Sequence, residues 1–302
     1  MALVSMRSLM KHALDNKYAV GYFEAWDMES MLSVIDAAER TVSPVIIGFG
    51  GAFVGNPARK VPENIYHYGA LGRSIAENAR VPAALLLNEA EETGLLVQGL
   101  KAGFNAIMYA NPETGFEETV EINKYLVKTA HFCGADVEAE IGELPTADIS
   151  TGTMTAGELT DPDKAAYFAE QTGIDALAVA IGNVHMLEGK KSDLDFDLIK
   201  RLRKIIKVPL VLHGGTGISH DDLREAISMG MCKINVGTVL KRAFINTVIS
   251  YLEKNDTRKM DPHDVIGRGG KEDMLCIARS AMTDEIAAMM KVFGCENKAR
   301  LL

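Results

Sequence analysis

The fold the sequence predicts is α/β, a single (β/α)8 TIM barrel with extra C-terminal helices. Three observations predict it. Apolar runs of strand length alternate eight times with amphipathic stretches of helix length, the rhythm of a closed parallel barrel. PVIIGFG, ALAVAIG and PLVLH are nearly continuous in apolar residues, as strands covered on both faces require. The 302 residues exceed the roughly 250 of one such barrel and are too few for two.

The elements follow in order. Residues 18–26 form the first strand. Residues 27–41 form a helix, with Asp27 as N-cap before Met28, Met31, Leu32 and Ile35. Strands follow at 44–50 (PVIIGFG), 82–89 (PAALLLNE), 106–110 (AIMYA) and 136–144 (DVEAEIGEL), with helical patterns over 62–79, 90–102 and 113–132 between them. Residues 145–157 (PTADISTGTMTAG) show no clear period, so this stretch is either a mobile lid or a plain surface loop. A helix over 162–172 leads to a strand over 176–182, and a helix over 196–206 to one over 209–215. A helix over 220–229 precedes the eighth strand, 233–238. Two long helical stretches, 239–254 and 261–292, exceed one barrel unit and are expected to pack on the barrel or on a second subunit. No linker, repeat or low-complexity tract divides residues 1–302, so one domain is expected.

Composition narrows the function. Hydrophobic residues make up 47% and charged residues 24%, ordinary for a soluble globular protein. The formal net charge of −9 comes without a basic stripe, which argues against nucleic acid but not against a small anion held by local loops. Cys133, Cys232, Cys276 and Cys295 form no CxxC pattern and read as reduced thiols. No apolar run reaches the roughly 18 residues of a membrane span. Arg7, Lys11, Asp15 and Lys17 interrupt any signal core, so no membrane and a cytoplasmic location are expected.

In barrels of this kind, chemistry sits at the C-terminal ends of the strands. Those positions hold Glu24, Asn88, Glu89, Glu138, Glu140, His185, His213 and Asn235. His185 and His213, on neighbouring strand ends, would with a carboxylate make a divalent-metal site. His213-Gly214-Gly215-Thr216-Gly217 and Asn235-Val236-Gly237-Thr238 are turns of the type that binds phosphate through backbone N–H groups. Lys190 and Lys191 either screen that phosphate or form a solvated pair.

These segments, taken in order, resemble the class II, metal-dependent fructose-bisphosphate and tagatose-bisphosphate aldolases. The resemblance rests on VEAEIGEL, TGIDALAVAIGNVH, PLVLHGGTGI and KINVGT, with looser matches in YAVGYFEAWDMES, ARSAMTDEI and FGCENKA. It implies a zinc ion, typically held by three histidines, that polarises the carbonyl of dihydroxyacetone phosphate and stabilises its enediolate. It further implies an acid on the loop after strand five, and an aspartate on strand three that exchanges a proton with the aldehyde oxygen.

Carried over by position, His185 and His213 match two zinc ligands and Glu140 a carboxylate near the metal. Gly214, Gly215, Thr216, Asn235, Val236, Gly237 and Thr238 match the phosphate-binding turns, and Asp148 lies about where the loop acid belongs. Elsewhere this chain departs from the pattern. Asn88 stands for the catalytic aspartate, and an amide cannot transfer a proton at neutral pH. Glu89 stands for the first zinc histidine, giving a set of two histidines and one carboxylate that also suits Mn or Fe. Met186 replaces the glycine after the second zinc histidine, Ala110 an aspartate after strand four and Glu24 an asparagine in the opening motif. Thr283 replaces an arginine, which implies a lost anion contact in the second half of the substrate.

The expectation is therefore a metal-dependent carbon–carbon lyase acting on a phosphorylated sugar, its aldehyde site altered, with Glu24 the first candidate for the missing acid. Family members are commonly dimers or larger, so a homodimer or homotetramer is expected. Two other readings stay open: a phosphosugar-binding barrel without lyase activity, and a metal enzyme of another reaction passing through the same enediolate.

Overall fold

The computed structural model describes residues 2–142, 144–145, 147–148, 153–155, 157–184 and 192–301. Eight parallel strands close into a barrel: β1 (Val20–Ala25), β2 (Val45–Gly50), β3 (Ala83–Ala90), β4 (Ala106–Tyr109), β5 (Asp136–Ile141), β6 (Ala176–Val179), β7 (Leu210–Leu212) and β8 (Met231–Val236). Each pairs with its sequence neighbour, and β8 closes the ring on β1 with Val20 opposite Lys233 and Phe23 opposite Val236. Every residue of β2 is buried, and Ile46, Ile47 and Phe49 are fully so. This is the cover on both faces that the apolar runs predict.

Capping residues set the helix starts. Asp27 accepts the Ser30 N–H at 2.8 Å, while Ser30 Oγ accepts the Asp27 N–H at 2.9 Å. Asp161, Asp195, Ser219 and Asp273 cap later helices by the first of these bonds alone, each side chain accepting from first-turn N–H groups.

Several elements differ from the sequence reading, among them a short helix, Gly51–Val54, directly after β2. A helix, Met6–Asp15, buries Met6, Leu9, Met10 and Ala13 at the N-terminal mouth of the barrel. Arg7 reaches the first residue of β5 there, its N–H donating to Asp136 at 2.9 Å, and its side chain reaches Asp175 at 3.0 Å. Within 145–157, Ala147–Asp148 pairs antiparallel with Thr153–Met154. The stretch 261–292 divides at Gly267 and Gly269, both at positive φ, into Pro262–Val265 and Met274–Val292.

The helix Met274–Val292 lies along Met28–Thr41, joined by Arg279 to Asp36 at 2.7 Å and by Arg40 to Asp284 at 2.7 Å. The residues after it fasten the seam. Phe293 O accepts from Ala19 at 3.0 Å, Asn297 N–H donates to Thr41 at 2.9 Å and Ala299 N–H to Val42 at 3.1 Å. Among the described residues no helix is long and apolar enough to cross a membrane.

Candidate active site

His213 follows β7 directly and is fully buried. Its Nε2 lies 3.0 Å from Glu138 Oε1. Its Nδ1 lies 3.0 Å from Glu89 Oε1 and 3.0 Å from Glu140 Oε2. Glu138 and Glu140 are two residues apart on β5, so both point to the same face of the strand. Burial alone would lower the basicity of His213, but its contacts with Glu138, Glu140 and Glu89 outweigh burial and raise it well above the usual histidine range. Asn183 fixes the backbone here, donating from Nδ2 to His213 O at 3.0 Å.

Beneath this layer sits Lys233, fully buried on β8. Its Nζ lies 2.9 Å from Glu138 Oε2 and 2.6 Å from Asn235 Oδ1, and 4.9 Å from the centre of the Tyr22 ring. Burial would raise the Glu138 carboxyl, but Lys233 and His213 hold it below its ordinary value. An anionic Glu138 therefore anchors His213 through Nε2 and leaves Nδ1 facing the cavity. The sequence reading missed Lys233. Its signal was a lysine at the start of KINVGT, the predicted eighth strand.

Glu89 reaches Nδ1 by an unusual backbone. Its φ is 52°, in the left-handed region. The β3–β4 register shifts between Leu87 and Ala90, so a bulge turns the Glu89 side chain inward. The neighbouring Asn88 is buried, and among the described residues its Oδ1 has no hydrogen-bond partner.

The glycine turns stand beside this cluster. Gly214 has φ 68°, and a Cβ there would come within 2.4 Å of Val184 O. Gly215–Gly217 forms one 3-10 turn. Gly237 precedes the helix Thr238–Lys254 with no side-chain cap, which leaves first-turn N–H groups for an anion. Thr216 Oγ1 joins the two turns, accepting from Val239 at 3.4 Å. Ser192, also missed in the sequence, is buried beside them, its N–H donating to Gly217 O at 2.8 Å and its hydroxyl without a partner among the described residues.

Glu24, at the end of β1, pairs with Lys241 at 2.6 Å, and Lys241 Nζ lies 4.2 Å from the centre of the Phe53 ring. The Glu24 carboxylate fits between two glycines: a Cβ at Gly50 would lie 2.6 Å from Oε1, and one at Gly237 2.9 Å from Oε2. Thr283 stands apart from the cavity, packed between helices with its hydroxyl donating to Arg279 O at 2.8 Å. His185, Met186, Lys190 and Lys191 lie outside the described residues, as does the side chain of Asp148.

The chemistry of the donors fits a divalent cation. Two carboxylates and an imidazole nitrogen converge, and Glu140 Oε2 is buried without an aligned hydrogen bond. The contacts that favour a proton on His213 would equally favour a metal ion. Among the described residues, no group of three or more histidine, cysteine or acidic side chains is arranged to hold a metal ion, and His185 lies outside them.

Comparison with known proteins agrees with this architecture. The protein YdjI of Escherichia coli (strain K12) is 34% identical over 297 residues, covering 98% of this chain and 99% of the relative. The X-ray structure of the YdjI aldolase superposes with a TM-score of 0.79 at 33% identity, covering 98% of this chain and 99% of that one. The sulfofructosephosphate aldolase of Alkalicoccus urumqiensis is 31% identical over 301 residues, covering 99% of each. The fructose-bisphosphate aldolase of Campylobacter jejuni, at 21% identity, shares the fold with a TM-score of 0.78 over 98% of this chain and 97% of that one. The model of the class II fructose-bisphosphate aldolases matches residues 4–298; the chain belongs to this family of aldehyde-lyases.

Proposed function

We propose that the protein is a divalent-metal-dependent aldolase that cleaves or forms a ketose phosphate by way of the dihydroxyacetone phosphate enediolate, with an altered aldehyde site. The observation that carries this reading is the convergence of Glu89 and Glu140 on His213 Nδ1, each at 3.0 Å, beside two glycine turns. Glu89, His213, Glu140 and His185 would hold the cation, zinc in the first instance with Mn or Fe as alternatives. Such an ion polarises a ketone carbonyl and stabilises the negative charge that develops on enolisation.

The chain's own groups carry the other roles. Backbone N–H groups at Gly214, Gly215, Thr216, Asn235, Val236, Gly237 and Thr238 would receive the phosphate, with Met186 alongside. Asp148 is the candidate for moving the carbon-bound proton. Asn88 can orient an oxygen but cannot exchange a proton with it. Glu24 remains the candidate acid for the aldehyde oxygen, and any proton it passes is shared with Lys241. An alanine at Glu24 that leaves turnover intact removes it from the mechanism.

The exposed stripe Ile245, Ile249 and Leu252 on the helix Thr238–Lys254 supports a homodimer or homotetramer. Free thiols at all four cysteines suit the cytoplasm. The buried amide of Asn88 also favours a second reading, a barrel that binds phosphosugar without cleaving it. One experiment separates the two. The protein is incubated with dihydroxyacetone phosphate in heavy water, with and without chelator, and loss of the carbon-bound proton is followed by NMR. Chelator-sensitive exchange supports the aldolase. No exchange, in protein shown to contain metal, leaves the binder.

A further inference from the structure

The order of strands around the barrel divides the mouth into sectors. Glu89, Glu140 and His213 come from β3, β5 and β7, and the glycine turns follow β7 and β8. β1, β2, β4 and β6 contribute none of these groups, and of them β1 and β2 are the pair that adjoins the glycine turn after β8. The described lining of that sector is Glu24 at the end of β1, Phe53 just after β2, and Lys241 in the first turn of the helix after β8.

These three residues form one unit. Lys241 Nζ donates to Glu24 Oε2 at 2.6 Å and lies 4.2 Å from the centre of the Phe53 ring. The Glu24 side chain is 13% exposed and that of Lys241 35%, so Lys241 is the more accessible of the pair. Phe53 is half exposed. The charge of Lys241 is matched by Glu24, so the pair offers no surplus positive charge to a second anion. It offers an acceptor and a donor side by side, with an apolar ring next to them. That combination suits vicinal hydroxyls and the C–H face of a polyol. A phosphate or sulfonate drawn to Lys241 would have to lie against the Glu24 carboxylate 2.6 Å from that ammonium, and like charges brought together discriminate against the wrong ligand.

We propose that Glu24, Lys241 and Phe53 make the enzyme selective for uncharged polyhydroxylated aldehydes over phosphorylated or sulfonated ones. This rests on the aldolase reading above and specifies its substrate class.

The test is condensation with dihydroxyacetone phosphate. D-Glyceraldehyde and D-erythrose are compared with their phosphate esters and with 3-sulfolactaldehyde, as ratios of kcat/KM. Proton exchange into dihydroxyacetone phosphate, measured on every variant, normalises for enolisation. The wild type is expected to favour the neutral aldehydes by roughly tenfold or more. Glu24→Gln leaves Lys241 without its counter-charge and is expected to move the ratio about tenfold toward the anionic aldehydes. Lys241→Met is expected to move it further against them and to raise KM for the neutral ones. The second variant keeps the question open to test should Glu24→Gln not turn over. A wild type that prefers anionic aldehydes, or variants that leave the ratio unchanged, overturn the proposal and leave the aldolase intact. A wild type that exchanges no proton from dihydroxyacetone phosphate removes the aldolase reading and the proposal with it.

Discussion

The backbone of Glu89 makes a prediction that sorts the glycine variant from the alanine one. At φ 52°, a residue with a Cβ carries about 1–2 kcal/mol of strain. Glu89→Gly releases it, while the extra freedom of glycine in the unfolded chain takes back about 0.5–1 kcal/mol. Glu89→Ala removes the same carboxylate and keeps the strain. The glycine variant is therefore expected to be the more stable, by about 0.5–1 kcal/mol. At an ordinary strand position the order is reversed. Urea unfolding in the presence of chelator measures the difference, because bound cation would otherwise add its own stabilisation to the folded state. Alanine equal to or better than glycine would refute the strained bulge. In a second arm, calorimetric titration with Zn or Mn is expected to show both variants binding at least about tenfold more weakly than the wild type, since even outer partners of a metal site are worth that much.

Three further outcomes are expected. Lys233→Met strands the buried Glu138 charge and should cost about 3–5 kcal/mol in urea unfolding; a loss below about 1 kcal/mol would show that the pair is not ionic. Burial raises the carboxyl of Asp136 above its ordinary value, against the Arg7 N–H that lowers it. Its contribution to stability is thus full below the unfolded aspartate pKa and lost as pH rises through the folded one. Asp136→Asn should gain on the wild type as pH climbs from about 4 toward neutrality, and a difference that is flat or reversed with pH would contradict this. Cys133 is exposed, whereas burial pushes Cys232 and Cys295 up to about 12. A coloured thiol reagent should label Cys133 at once and the two buried thiols only in denaturant; rapid labelling of either in the native protein would count against their burial.

Much of the barrel was legible because its signal is local. A strand such as Val45–Gly50 is apolar at nearly every position, and only a doubly covered strand needs that. His213 was legible because it and His185 fall at neighbouring strand ends beside glycine-rich turns. The inward aim of Glu89 was not, since it depends on a register shift between two strands rather than on the residues of one. Lys233 is merely the first residue of the predicted eighth strand, and only closure of β8 onto β1 places it under Glu138. The helix Met6–Asp15 was legible in principle: Ser5 caps it, and Met6, Leu9, Met10 and Ala13 keep helical spacing. That segment was weighed as a leader and not as a helix. The hairpin at Ala147–Asp148 has two residues per strand, too few for any period to show.

The seam between Met28–Thr41 and Met274–Val292 has a consequence for how the chain is made. During vectorial synthesis β1 leaves the ribosome early, yet one of its edges stays unpaired until Met231–Val236 follows. The outer face of Met28–Thr41 waits longer still, for Met274–Val292 and the clasp at Asn297 and Ala299. The nascent chain therefore passes through most of its synthesis with an open sheet edge and a bare apolar groove, the features that invite misassociation. Barrel closure is in this sense a late event. Changes near the C-terminal clasp would act first on the yield of folded protein and only then on what its active site can do.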